Sequence, residues 1–135
     1  MLVVVAVSLP AAALLLPAAG RHGLPPDGGV IEIRVLAPKA GGWLPAALTA
    51  TVGRPLRLRL RSDDVVHGFA VAQTDWLPLD LRPGEVREAT LTFDRPGRYV
   101  FFCTRWCGVD HWRMRGTIDV RVARPATASR EAAMA

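Results

Sequence analysis

Cysteine and histidine are scarce in this sequence, and the scarcity narrows its chemistry. Two cysteines and three histidines occur in 135 residues. Two thiols are too few for an iron–sulfur cluster, which normally takes four cysteinates. No Cys-x-x-Cys-His string occurs, so covalent haem attachment is unsupported. Lysine is nearly absent: Lys39 stands alone among 17 basic side chains, set against 12 acidic ones, for a formal net charge of +5. A basic balance suits nucleic acid, an anionic membrane or an acidic protein. Here the arginines are scattered. Arg57, Arg59 and Arg61 alternate with Leu56, Leu58 and Leu60, the pattern of a strand's solvent face. Aromatic and basic residues do not interleave, so no nucleic-acid partner is expected. No acid–base pair or activated nucleophile is visible either.

Helical periodicity is missing after residue 20, and no repeat or second domain is visible. Charge is missing from residues 1–19, MLVVVAVSLPAAALLLPAA. A helix of that length nearly spans a hydrocarbon layer of roughly 30 Å. Pro10 and Pro17 weaken it as a helix, no basic residue precedes it, and small residues before Gly20 suit a signal-peptidase site. A membrane anchor and a cleaved signal both fit. Either places the remainder outside the cytoplasm, on the periplasmic face or free in the periplasm, where unoccupied thiols oxidise. Residues 20–29, GRHGLPPDGG, read as a linker, and His22 within it is assigned no role.

From residue 30 the hydrophobic pattern has the period of two expected of strands. Strands are predicted at 30–36, 47–53, 55–62, 65–72, 86–93, 98–103 and 116–123, the last with Ile118, Val120 and Val122 on one side. RPGE (82–85) and DRPG (94–97) are turns. Short strands between Pro-Gly turns predict an all-β sandwich or barrel over residues 30–123, followed by a loose tail at 124–135.

What the sequence has is concentrated in CTRWCGVDHWRM, residues 103–114. Cys103, Cys107, His111 and Met114 are four potential metal ligands in twelve residues. The spacing also suits the buried stripe of a helix, and the two cysteines suit a disulfide. Gly108 and the flanking strands argue for a loop instead. A disulfide gives no reason for the nearby histidine and methionine. Thiolate, thioether and imidazole together favour copper. Zinc accepts two Cys and two His but rarely needs a Met. A single blue-copper ion takes one Cys, so this loop has one too many. Two thiolates four residues apart can instead bridge two copper ions. At least one further histidine is then required. With His22 set aside, His67 in SDDVVHGF (62–69) is the candidate.

CTRWCGVDHWRM has the Cys-x3-Cys-x3-His-x2-Met pattern of the binuclear copper A centre. It resembles subunit II of haem–copper cytochrome oxidases and the related domain of nitrous oxide reductase. DVVHGF resembles that family's first-histidine motif, and RPGEVREATLTFDRPGRYVFFC its strands leading into the ligand loop. The resemblance spans roughly residues 43 to 122. It implies a cupredoxin-like Greek-key β-sandwich. It implies that Cys103 and Cys107 bridge two coppers. His67 and Met114 then complete one, and His111 with the backbone carbonyl of Arg105 completes the other. Many oxidases have a glutamate at that position whose side chain reaches an interface magnesium. Arg105 cannot do so, and no magnesium ligand is expected from it. With at most one anchor, the chain resembles the B-type oxidases. Asp64 is a candidate to orient His67, and Trp106, Trp112 and Trp76 are candidate contacts for an electron donor.

The expected function is therefore that of an electron-transfer subunit. A cytochrome c or small copper protein delivers electrons to the copper pair, and a haem-bearing subunit I receives them. The alternative is a free-standing copper protein that shuttles electrons or handles copper. Nitrous oxide reductase itself is not the expected reading, because 135 residues leave no room for its large catalytic domain.

Overall fold

A computed structural model describes residues 29–124. The apolar segment 1–19 lies outside them, as do nearly all of the linker and tail. Among the described residues, no helix is long and apolar enough to cross a membrane.

Among the described residues, nine strands form two sheets. They are β1 (Val30–Val35), β2 (Trp43–Leu44), β3 (Ala47–Thr51), β4 (Leu56–Ser62), β5 (His67–Val71), β6 (Leu79–Leu81), β7 (Val86–Leu91), β8 (Gly97–Phe102) and β9 (Arg115–Arg121). One sheet has the order β2-β1-β4-β7 and the other β3-β9-β8-β5-β6. β1 runs parallel to β4 and β3 parallel to β9, whereas β8 and β9 form an antiparallel pair. This is the all-β sandwich expected from the alternating pattern.

β4 carries that pattern most clearly. Leu56, Leu58, Leu60 and Ser62 are buried, while Arg57 and Arg61 face water. Arg59 on the same outer face pairs with Glu32 at 2.8 Å. The buried leucines meet Phe69, Phe101 and Ile118 from the facing sheet. Burying each such side chain contributes about 1.5–3 kcal/mol. Trp43 seals one side, edge-on to Phe69 and Phe101 at ring separations of 5.7 and 5.2 Å. Gly116 on β9 is required by this packing: a Cβ there would lie 2.0 Å from the Phe101 ring.

Two strand ends differ from expectation in ways that expose apolar side chains, and two short strands were not foreseen. The predicted strand at 65–72 begins at His67, because the Ser62 hydroxyl donates to the Val65 carbonyl at 2.5 Å and turns the chain. Val65 and Val66 are consequently exposed. Val122 is exposed too, since β9 stops at Arg121 and no described residue covers the next position. The short strands β2 and β6 carry too few residues to show a period.

Candidate metal centre

Two strands and one loop build the site. β5 starts at His67, and all five of its residues are buried, so the imidazole has no route to bulk water. β8 ends at Phe102, and the loop 103–114 returns the chain to β9. The Cys103 N–H donates to the Met114 carbonyl at 3.1 Å and closes the base of that loop. Within it, Asp110 takes a left-handed conformation (φ 66°) and leads into a single 3-10 turn, His111–Arg113. The segment is thus a strand-joining loop, not a helical stripe.

The donors converge. Cys103 Sγ and Cys107 Sγ are 3.7 Å apart, and both thiols are free. A disulfide would bring them to about 2.05 Å. Cys103 Sγ lies 3.9 Å from His67 Nδ1 and 3.2 Å from the Arg105 carbonyl oxygen. Cys107 Sγ lies 3.3 Å from His111 Nδ1 and 3.4 Å from Met114 Sδ. His67, Cys103, Cys107 and Met114 are all buried. Two sulfurs, a thioether, two imidazole nitrogens and a carbonyl in one buried cradle fit copper, which soft sulfur and imidazole select.

Neighbouring groups tune the donors. Asp64 Oδ1 is 2.7 Å from His67 Nε2. With the Nε2 proton donated there, Nδ1 is free and faces the sulfurs. Burial opposes a charged Asp64. The Ala37 N–H, the His67 ring and the Val65 N–H outweigh it and hold the carboxyl below its usual range. Burial likewise opposes the His67 imidazolium, but Cys103 and Asp64 raise its pKa overall. Burial pushes both thiols up. For Cys103, hydrogen bonds from His67 and the Gly68 N–H prevail and lower the pKa. For Cys107, burial and the adjacent Cys103 sulfur drive it to about 12. The two thiols are thus shifted in opposite directions, Cys103 down and Cys107 up.

Gly68 is a contributor that pattern reading missed. Its N–H donates to Cys103 Sγ at 3.4 Å. A Cβ on Gly68 would lie 1.9 Å from the Thr104 hydroxyl, so only glycine admits this approach. Glycine inside an apolar strand was the available signal. Asp80 was missed as well: its carboxylate holds the Arg105 guanidinium through two hydrogen bonds of 2.8 and 2.6 Å.

The three candidate tryptophans separate. Trp106 and Trp112 are 78% and 65% exposed. The Trp106 ring lies 5.8 Å from the His111 ring, and the Arg113 guanidinium sits 4.7 Å over Trp112. Trp76 instead packs edge-on against Phe69 at 5.5 Å, away from the loop.

Comparison with known proteins identifies the family. Residues 45–121 match the family described as cytochrome c oxidase subunit II, periplasmic domain. Cytochrome c oxidase subunit 2 of Thermus thermophilus is 38% identical over 82 residues, covering 61% of this chain and 60% of that protein. A second Thermus thermophilus sequence of the same name, also 38% identical, is covered over 48% of its length. The chain therefore spans about half to three-fifths of these relatives. Among solved structures, a chain of a heme-copper terminal oxidase dimer is 28% identical with a TM-score of 0.54, covering 67% of this chain and 60% of that one. The periplasmic domain of subunit II of the Bradyrhizobium japonicum cytochrome oxidase gives 0.58 at 19% identity, covering 82% and 96%. At that identity it speaks for the fold alone, a cupredoxin-like sandwich. With more than half of its residues matched to the family, the chain belongs to the cytochrome c oxidase subunit II family.

Proposed function

We propose that this protein is the electron-transfer subunit II of a haem–copper terminal oxidase, with a binuclear copper A centre. The observation that carries the reading is the convergence of both cysteine sulfurs, 3.7 Å apart, with two imidazoles, a thioether and a carbonyl. Cys103 and Cys107 would hold both metals, with His67 Nδ1 and Met114 Sδ serving one ion and His111 Nδ1 and the Arg105 carbonyl the other. A copper pair held there would supply one-electron redox chemistry.

The chain's own residues hold and insulate the pair. Asp64 keeps the His67 ring in the orientation and tautomer that presents Nδ1. The Gly68 N–H donates to Cys103 Sγ. Phe69 and Phe101 close the interior behind the site, excluding water and limiting rearrangement. Trp106 and Trp112 stand outside the loop as the contact for a cytochrome c or a small copper protein. The haem-bearing subunit I takes the electron onward. Residues 30–123 form the copper domain on the extracytoplasmic side, with residues 1–19 as its anchor or cleaved signal.

The test is copper loading of the full chain. Two coppers per chain and an electron paramagnetic resonance signal with hyperfine splitting from two equivalent nuclei are expected. A pattern that one copper nucleus explains would defeat the binuclear assignment. Co-purification with a haem-containing membrane subunit tests the oxidase role. Its absence, with copper passed to a soluble partner, would favour a free-standing copper protein.

A further inference from the structure

We propose that Asp80 is a positioning residue for the metal centre, acting through Arg105. This rests on the reading above, in which the Arg105 carbonyl oxygen is a copper ligand. Arg105 stands between the two cysteines, and its carbonyl oxygen is 3.2 Å from Cys103 Sγ. Among the described residues, no backbone–backbone hydrogen bond ties residues 104–107 to either sheet. The Arg105 side chain supplies a tether. Its Nε donates to Asp80 Oδ1 at 2.8 Å and its Nη2 to Asp80 Oδ2 at 2.6 Å. A fork of two parallel bonds fixes the guanidinium in plane as well as in distance, which a lysine cannot reproduce.

The anchor point matters as much as the fork. Asp80 lies on β6 directly opposite Gly68 of β5, one position from the pair His67–Leu81. Thr104, beside Arg105, rests on Gly68. The fork therefore references the loop carbonyl to the same strand pair that carries His67, so two ligands from distant parts of the chain share one frame. The pair is about half exposed at both ends. An exposed ion pair contributes little to folding. Its effect falls on where the carbonyl sits.

The full copper-loaded chain is compared with Asp80→Ala, Asp80→Asn and Asp80→Glu. Asp119→Asn, which removes the exposed Arg98–Asp119 pair on the β8–β9 ladder, is the control. Copper loss to a chelator and the copper hyperfine pattern are read on loaded protein, and thermal midpoint on metal-free protein. Asp80→Ala is expected to lose copper about 10–100-fold faster, with altered hyperfine splitting and an unchanged midpoint. Asp80→Asn should fall between, Asp80→Glu should restore part of the difference, and Asp119→Asn should behave as the unaltered chain. If Asp80→Ala fails to fold, Asp80→Asn carries the same test. Wild-type copper retention and hyperfine in both variants would overturn the inference while leaving the binuclear reading intact. A one-copper pattern in the unaltered chain would overturn both.

Discussion

Along β4 every second side chain is an apolar or small residue turned inward, and its neighbours carry charge into water. In the loop between β8 and β9 the arrangement is inverted. Sulfur and imidazole lie inside, and two tryptophans lie outside. β4 follows what burial of apolar surface favours. The loop conflicts with it, and such local conflicts are expected where a ligand completes the structure. The sandwich thus supplies stability, and the loop spends some of it on a metal site.

That contrast can be broken in order of effect. Phe101→Ala strikes the sandwich and should cost roughly 3–5 kcal/mol in chemical denaturation of the metal-free protein. Copper binding would weaken only as a consequence. Cys103→Ser or Cys107→Ser strikes the loop. Either should abolish the two-copper resonance signal while moving the metal-free denaturation midpoint far less than Phe101→Ala does. An unchanged signal in either variant would refute the bridging role.

Next comes pH. Because the Cys107 thiol is pushed up to about 12, copper must displace its proton. Affinity measured by competition should fall as pH falls, about tenfold per unit for each proton released. The metal-free fold should respond differently. Asp64, with its pKa depressed, stabilises the fold above the ordinary carboxylate range, and that contribution is lost as pH falls through the depressed value. His67, with its pKa raised, stabilises below the ordinary imidazole range, and that contribution is lost as pH rises through the raised value. Unfolding midpoints of metal-free protein should therefore peak in mildly acidic solution and drop on both sides. The smallest effect on folding is expected from Trp106→Ala. Its exposed ring leaves stability within about 0.5 kcal/mol, while electron transfer from a protein donor slows in stopped-flow mixing.

Much of this was legible in the sequence because side-chain period and ligand spacing are local. The alternation in 55–62 gave β4 directly, and Cys-x3-Cys-x3-His-x2-Met lies within one loop. His67 was reached by counting histidines, and Asp64 by its place just before it. What was not legible depends on contacts between distant segments. Nothing around Asp80 announces that it meets Arg105, 25 positions later. Gly68 reads as a weak point in a strand until Thr104 is seen against it. Val65 and Val66 look like strand residues, and only the Ser62 turn exposes them.

His67 and Cys103 are 36 positions apart, and three strands separate them in the chain. Only the closed sheets bring the imidazole of His67 to the sulfurs of the loop. An unfolded chain keeps Cys103, Cys107, His111 and Met114 close in sequence but leaves His67 apart. Copper should therefore be held more weakly by the denatured chain than by the closed sandwich, a difference that competition with a chelator in denaturant would read.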